Sequence, residues 1–506
     1  MKLPNILFIM SDDHAANAIS SYGSRLAEVA PTPQIDRIGQ EGMVLTNCHC
    51  TNAICTPSRA SILTGQHPHV NGVRTLADTL PKGAPSFVRE LQNAGYQTGL
   101  FGKWHVHSEP EGFDDYRVLP AQGLYNDPYF ISPGEIWPVV ESKGLEGEEM
   151  YPEGDRYNGH VTDLTTDFCL EWLRNRETDR PFLLFCHHKA PHDDFVYQPR
   201  YEHVFDNTEI PEPESLFEDK SHRSDGSRDF GTTVSDRNLH RNAIKKMSAA
   251  GYPTGSLDLE GLDSTARTRA AYQKYLKDYL RCVRGIDDSV GRLLEYLDTE
   301  GLTENTIVIY TSDQGMFLGE HDYIDKRWIY EESLRMPFLA RFPREIPSGS
   351  WSDTVVDNVD FAKTLLDYAG VDPPAEMQGR SFRPVLADKT PSDWRHEVYN
   401  RYWMHMTHHD NPAHYGIRTR EYKLIFFYGM PLDAGGATAY QTPAGGELYD
   451  LRTDPFELQN VYNDPSYREV RRTLKARLRG LRSEIGEDDS QYPALEKLTR
   501  SFWDES

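Results

Sequence analysis

Unbroken apolar runs are the clearest pattern along this chain. They cover residues 6–10, 182–186 and 306–310, and a fourth version covers 97–101. Such runs do not alternate between apolar and polar positions, so they indicate strands buried on both faces, as in a parallel sheet covered by helices. Stretches with apolar residues near helical spacing lie between them, at 86–93, 163–175 and 270–298. The alternation of strands and helices predicts an α/β fold with a large, mixed but mostly parallel central sheet sandwiched by helices.

The pattern changes after residue 384. Residues 397–403, 415–419 and 422–427 are typical of shorter strands, and a charged helix is predicted at 465–484. These elements predict a smaller C-terminal α+β domain with an antiparallel sheet. A chain of 506 residues exceeds the size of one hydrophobic core. We therefore expect a catalytic α/β domain at 1–385 and a C-terminal α+β subdomain at 386–506 that contributes to the substrate pocket.

The segment from residue 217 to about 246 is polar and rich in Ser, Asp, Arg and Gly. It is either a lid near a site or an excursion over the surface, and its composition favours the surface excursion.

Each predicted strand of the central sheet ends in polar residues able to bind a ligand. These are Ser11-Asp12-Asp13, Gly102 to His105, His187 to His192 and Ser312 to Gly315. Ligands of open α/β sheets bind beyond the carboxyl ends of the strands. Four segments far apart in sequence are thus expected to converge on one site.

The composition of the chain argues against some classes of binding partner. The formal charge of −24 argues against binding to nucleic acid or to anionic membranes. Six scattered cysteines are too few for a disulfide scaffold, and we expect all except Cys55 to be buried thiols. The apolar stretch near the N-terminus is too short for a signal peptide or a membrane span. We expect a soluble protein, cytoplasmic as written, or periplasmic or secreted if a leader was removed.

The motif Cys55-Thr56-Pro57-Ser58-Arg59 marks the start of a predicted helix that ends near Gly65. A nucleophile at a helix N-terminus faces backbone N–H groups, which favour a tetrahedral anion. Taken alone, Cys55 could equally be a structural cysteine.

The motif continues to Leu63-Thr64-Gly65 and in this form resembles the signature of type I sulfatases, within the alkaline phosphatase superfamily. The segment from Gly95 through His105 resembles the second signature of that family. The resemblance extends through Ala190-Pro191-His192 and Lys326 into the C-terminal region, and so covers nearly the whole chain.

The resemblance implies that Cys55 is oxidised to formylglycine, whose hydrated aldehyde is a geminal diol. One diol oxygen, activated by a divalent metal, attacks sulfur and expels the alcohol, and the other hydroxyl then loses its proton as sulfate is eliminated. It also implies a formylglycine-generating or other sulfatase-maturing enzyme as a partner.

The metal ligands implied by the resemblance are Asp12, Asp13, Asp313, Gln314 and the modified Cys55. Oxygen-only ligation makes Ca²⁺ the default, with Mg²⁺ as the alternative. The family often has Asn where this chain has Gln314, a difference of one methylene that affects the reach of the amide oxygen.

The resemblance also places cationic groups around the sulfate. Arg59 holds the diol, Lys103 and Lys326 bind sulfate oxygens, His105 is the candidate base for elimination, and His192 with Lys326 faces the leaving oxygen as the proton source. Nothing in the spacing assigns a role to His321, which stays a minor candidate.

Substrate recognition is expected from the C-terminal subdomain. Arg401, His405 and His414 lie among aromatic residues, a mixture suited to charged sugar rings, and His414 is the first candidate for a contact. Packing between domains is an equally good explanation of the aromatic residues. The C-terminal stretch resembles bacterial carbohydrate sulfatases, which implies a sulfated saccharide as substrate; a homo-oligomer is also compatible with the sequence.

Two alternatives remain open at this point. A phosphonate monoester or phosphodiester hydrolase would share the formylglycine nucleophile, although the pair Lys103 and His105 favours a sulfatase. An inactive carbohydrate-binding homologue would lack a ligand or the nucleophile, whereas every expected position is filled.

Overall fold

The computed structural model describes residues 2–135, 137 and 154–504. Its strands are β1 (Asn5–Ser11), β2 (Met43–Leu45), β3 (Cys48–His49), β4 (Gln97–Lys103), β5 (Asp115–Leu119), β6 (Tyr129–Phe130), β7 (Asp155–Arg156), β8 (Phe182–His188), β9 (Thr306–Ser312), β10 (Phe317–Leu318), β11 (Ile324–Asp325), β12 (Phe338–Arg341), β13 (Ser350–Ser352), β14 (Val356–Asp357), β15 (Glu397–Tyr402), β16 (His414–Thr419), β17 (Tyr422–Phe427) and β18 (Gly445–Asp450). Its helices are α1 (Pro33–Gln40), α2 (Cys55–Thr64), α3 (Pro68–Asn71), α4 (Phe87–Asn93), α5 (Val161–Asn175), α6 (Ala243–Met247), α7 (Ser264–Thr299), α8 (Glu331–Leu334), α9 (Asp360–Ala369), α10 (Arg383–Leu386), α11 (Arg468–Glu484) and α12 (Pro493–Leu498). The two predicted domains cover residues 1–385 and 386–506. Their outer ends, Met1 and residues 505–506, lie outside the described residues.

The central sheet has eight strands in the order β13-β2-β12-β9-β1-β8-β4-β5. The strands β9, β1, β8, β4 and β5 are mutually parallel, while β12 runs antiparallel to both of its neighbours. The predicted mixed, mostly parallel sheet is confirmed. The four strands predicted from apolar runs are adjacent in it, so their carboxyl ends lie side by side.

Alternating residues of β1 enter two separate cores. Ile6, Phe8 and Met10 pack in one core, and Leu7 and Ile9 pack in the other. Helices α2, α4 and α9 cover the first core, whereas α1, α5 and α7 cover the second. Because both faces of the sheet are covered by helices, its strands contain apolar residues at consecutive positions.

A four-stranded antiparallel sheet, β15-β16-β17-β18, forms the predicted C-terminal unit. One face packs on α11 through residues such as Tyr415, Ile417 and Leu478. Phe427 and Tyr449 of the other face join the core of the large domain. The small sheet is therefore fixed against the part of the large domain that follows β9.

The segment at 217–246 is not the surface excursion that its composition favoured. Arg223, Ser227 and Val234 are buried, and the Val234 N–H donates to Asp322 O at 2.8 Å. The Ser224 hydroxyl donates to Glu447 Oε1 at 3.0 Å. The segment is wedged between β18 and the loop before Lys326, where polar residues satisfy each other in the interior.

Two further findings concern membrane-spanning helices and the cysteines. In the described parts of the chain, no helix has both the length and the apolar character that a bilayer crossing requires. All six cysteines are buried with free thiols, which agrees with the expectation for the five other than Cys55.

Candidate active site

Three carboxylates meet at the carboxyl edge of the central sheet. Asp12 and Asp13 follow β1, and Asp313 follows the neighbouring β9. One oxygen from each lies within 4.8 Å of the others, and all three side chains are fully buried. Asp13 has a φ of 64°, in the left-handed region that is unfavourable for a residue with a Cβ. Backbone strain of this kind is concentrated at functional sites.

The pKa values of the three buried carboxylates depend on the positive charge around them. Burial raises the pKa of Asp13 to about 7, with Asp12 and Asp313 adding to the effect and Lys326 opposing it. Burial and Asp12 likewise raise the pKa of Asp313 to about 6. For Asp12 burial also acts upward, but Lys103, His192 and Arg59 outweigh it and hold the pKa well below its usual value. Three buried carboxylates at this separation suit a divalent cation with oxygen ligands.

Gln314 completes the set of oxygen donors. Its Nε2 faces Asp13 Oδ1, while its Oε1 is buried without a hydrogen-bond partner among the described residues. The two amide orientations are nearly indistinguishable by shape, and either end can face the carboxylates. The side-chain amide of Gln314 therefore reaches the cluster despite its extra methylene, and its role as a fourth metal ligand stays a prediction.

Cys55 is the first residue of α2, with its thiol against the carboxylates. Its Sγ lies 3.3 Å from Asp12 Oδ1 and 4.0 Å from Gln314 Nε2. Burial, and then Asp12, raises the pKa of the thiol well above its usual value. The predicted helix is confirmed, and it ends at Gly65, whose φ of 62° is the left-handed conformation that closes a helix.

Cationic side chains surround the cluster, each paired with a carboxylate. Arg59 Nε donates to Asp313 Oδ2 at 2.9 Å, Lys326 Nζ lies 2.5 Å from Asp13 Oδ2, and Lys103 Nζ contacts Asp12. Lys103 is the last residue of β4 and also donates to Gln122 Oε1 at 2.6 Å. The sequence carried no signal for Gln122, which lies in a loop after β5.

The two candidate histidines also lie here: His105 is buried, whereas His192 is half-buried with its side chain 15% exposed. His192 Nε2 lies 3.8 Å from Asp13 Oδ2, and its Nδ1 lies 2.7 Å from Asp193 O. Burial, reinforced by Lys103 and Lys326, lowers its pKa well below the usual value. His105 follows Lys103 with a φ of 54°, and burial and Lys103 lower its pKa as well.

The loop that carries Lys326 touches the C-terminal unit. Asp325 Oδ2 accepts from Arg327 Nε at 2.9 Å and lies 3.5 Å from His409 Nδ1. Arg327 Nη1 donates to Tyr402 OH at 3.4 Å. Asp325 and Arg327 both have positive φ. Nothing in the sequence spacing assigns a role to Asp325 or Arg327, and their position beside Lys326 is the one signal that the sequence offers.

The three predicted substrate residues have internal partners. Arg401 Nη1 forms ion pairs with Glu487 and Asp489 at 2.9 and 2.8 Å, and both nitrogens of His405 bond to backbone groups. His414 stacks between Trp328 and Tyr402 and is fully buried. This geometry favours a structural role for Arg401 and His405, and substrate contact by His414 stays a prediction.

The minor candidate His321 also has internal partners. Its Nδ1 lies 2.6 Å from Glu218 Oε2 and 2.8 Å from Arg223 Nη2, in the buried network under the 217–246 segment. These contacts account for its burial without a role at the carboxylate cluster.

Beyond the strand ends of the doubly covered sheet, the buried carboxylates lie beside a cysteine at a helix N-terminus and two lysines. This arrangement is suited to metal-assisted hydrolysis of an anionic ester. The sulfatase family model matches residues 4–371, and a model described as N-sulphoglucosamine sulphohydrolase, C-terminal, matches residues 319–484. The chain belongs to the sulfatase family.

Individual relatives support this assignment. An N-acetylglucosamine-6-O-sulfatase from Bacteroides thetaiotaomicron is 37% identical, over 96% of this chain and 88% of that protein. A structure of an enzyme in complex with its substrate D-glucosamine-2-N,6-O-disulfate has a TM-score of 0.85 and 36% identity, and the match covers 97% of this chain and 100% of that one. A phosphonate monoester hydrolase from Silicibacter pomeroyi, at 20% identity and a TM-score of 0.71 over 96% of each chain, shares the fold.

Proposed function

We propose that this sulfatase removes the 6-O-sulfate from a glucosamine unit of a sulfated saccharide. The observation that carries the proposal is the cluster of Asp12, Asp13 and Asp313 beside Cys55, flanked by Lys103 and Lys326. The choice of sugar is supported by the name of the 37% identical relative, N-acetylglucosamine-6-O-sulfatase, and by the disulfated glucosamine that is the substrate in the 36% identical structure.

Asp12, Asp13, Asp313 and Gln314 would hold the metal, together with the modified residue 55. A divalent cation supplies charge stabilisation for the oxygens of the nucleophile and of the sulfate. We favour Ca²⁺ over Mg²⁺ because the donors are three carboxylates and an amide, a set that Ca²⁺ accepts without strict octahedral geometry.

Oxidation of Cys55 by a maturing enzyme is part of the proposal. The thiol is buried in the folded chain, which favours oxidation before folding is complete. Once modified, residue 55 stands at the N-terminus of α2, where backbone N–H groups favour a tetrahedral anion. Arg59, fixed by Asp313 and by Lys103 O at 2.7 Å, holds the hydroxyl groups of the nucleophile.

The remaining residues handle sulfate oxygens and protons. Lys103 and Lys326 present ammonium groups beside Asp12 and Asp13, where they can bind sulfate oxygens as negative charge grows in the transition state. His192 delivers a proton to the leaving oxygen, and His105 removes the proton that triggers elimination. The C-terminal unit contributes to the pocket through Tyr402 and His409, which contact the loop of Lys326.

The decisive experiment uses protein produced with a formylglycine-generating enzyme. Mass spectrometry of the peptide containing residue 55 measures oxidation, and ion chromatography measures sulfate release from N-acetylglucosamine-6-O-sulfate. We expect the aldehyde mass together with sulfate release, and we expect Cys55→Ala to lose both. Fully oxidised protein that releases no sulfate but cleaves an aryl phosphonate would instead support the phosphonate hydrolase alternative.

A further inference from the structure

Lys189 places a buried ammonium group beside the catalytic cluster, and the chemistry proposed above does not use it. Lys189 directly follows β8, and it is only 4% exposed. The His192 N–H donates to Lys189 O at 3.1 Å, so these residues are the ends of one tight turn. The Asp12 N–H donates to Ala190 O at 3.2 Å within that turn. The position of Lys189 is therefore fixed relative to both Asp12 and His192.

Tyr125 supports the same turn from the other side. Lys189 Nζ lies 4.8 Å from the centre of the Tyr125 ring, a cation–π contact. The Tyr125 hydroxyl donates to His192 O. One buried ring thus holds the lysine side chain and the backbone of the predicted proton donor together.

Lys189 differs from the other cations of the site in lacking an anionic partner. Arg59, Lys103 and Lys326 each pair with a carboxylate of the cluster. Across residues 2–135, 137 and 154–504, Lys189 Nζ forms no ion pair within 4.0 Å and no hydrogen bond, and the carboxylates of Asp12, Asp193 and Asp194 act on it only at longer range. Burial and the nearby Lys103 lower the pKa of Lys189 to about 8, so the group is still largely charged at pH 7. A buried charge without a partner is costly, and an anionic ligand removes that cost.

The location of Lys189 indicates which anion it meets. In the proposed mechanism the reacting sulfate lies against residue 55, between the two lysines that pair with Asp12 and Asp13. Lys189 instead shares its turn with His192, the residue that the proposed mechanism places at the leaving oxygen. We propose that Lys189 binds a second sulfate group carried by the leaving sugar, so that the enzyme prefers disulfated over monosulfated glucosamine. This inference rests on the proposed sulfatase function.

Kinetics on a matched pair of substrates test the proposal. Glucosamine-2-N,6-O-disulfate and N-acetylglucosamine-6-O-sulfate share the reacting ester but differ in the second sulfate. We expect Lys189→Met to lower kcat/KM for the disulfated sugar by about tenfold or more, the usual effect of losing a charge-assisted hydrogen bond. The monosulfated sugar should be little affected, and Lys189→Arg should keep most of the preference.

The controls separate binding from folding and from the proposed function itself. Because Met removes an unpaired buried charge, Lys189→Met should have a Tm equal to or above that of the wild type. Lys389→Met, at an exposed loop position, should change neither rate. Equal losses on both sugars, or no loss on either, would overturn the role of Lys189. Oxidised wild-type protein that hydrolyses neither sugar would refute the proposed function instead.

Discussion

His192 Nε2 lies 3.8 Å from Asp13 Oδ2, while Nδ1 of the same ring lies 2.7 Å from the backbone oxygen of Asp193. The bond at Nδ1 fixes the ring, so that Nε2 faces the carboxylate cluster. In the mechanism that we propose, the Nε2 proton of the doubly protonated ring is the one given to the leaving oxygen.

Replacing His192 by Ala should therefore affect poor leaving groups most. A sugar alkoxide needs a proton as it leaves, whereas a nitrophenolate does not. We expect His192→Ala to lower kcat on N-acetylglucosamine-6-O-sulfate by about 10²- to 10⁴-fold, the usual contribution of a general acid. Turnover of 4-nitrophenyl sulfate should fall far less. Equal losses on both substrates would show that His192 acts in another way, such as holding the sulfate.

Removing the amide oxygen of Gln314 should weaken metal binding. Gln314→Leu keeps the bulk of the side chain but deletes a hard oxygen donor, and we expect an affinity loss of about tenfold or more. The rise in Tm on titration with Ca²⁺, after removal of metal with a chelator, measures this loss.

Gln314→Asn tests the extra methylene separately. If the long side chain is needed to reach the cluster, the Asn variant should also bind Ca²⁺ more weakly, although less so than the Leu variant. The exposed Gln459→Leu serves as the control. Unchanged Ca²⁺ affinity in Gln314→Leu would remove Gln314 from the ligand set.

Arg401→Met should act on stability rather than on substrate binding. The guanidinium is 2% exposed and pairs with Glu487 and Asp489, so the variant leaves buried carboxylates with fewer partners. Breaking a buried ion pair typically costs about 3–5 kcal/mol, and we expect the lower end because Arg482 also pairs with both carboxylates. Urea denaturation measures the change. A raised KM with unchanged stability would support the sequence-based prediction that Arg401 binds substrate.

The same network predicts a dependence of stability on pH. Burial acts to raise the pKa of Glu487, but Arg401 and Arg482 outweigh it and bring it down to about 2. Since an unfolded Glu titrates near about 4.3, the stabilisation is complete above that pH and is lost as the pH falls toward about 2. The difference in unfolding free energy between wild type and Glu487→Gln should therefore shrink over this range. The exposed Glu300→Gln should show no such change, and a constant difference for Glu487→Gln would contradict the prediction.

Much of the catalytic end of the molecule was predictable because it is encoded locally. Consecutive apolar residues specify a strand buried on both faces, and polar residues directly after such a strand must lie at the edge of the sheet. Asp12, Lys103 and Asp313 are therefore brought together by the parallel order of β9, β1, β8 and β4. The start of α2 at Cys55 follows from Pro57 and Gly65 in the same local way.

The sequence alone determined the sheet, the helix that carries Cys55, and the identity of the residues at the strand ends. Only the tertiary structure decided which side chains find partners. Arg401 forms an ion pair with Glu487, 86 positions later, and this pair neutralises its charge. The polar segment at 217–246 is buried because it hydrogen bonds to β18. Lys189, in contrast, is buried and forms no ion pair with any of the described residues. The physical reason is that charge pairing depends on contacts between residues distant in sequence, whereas strand burial and helix ends depend on the pattern of neighbouring residues.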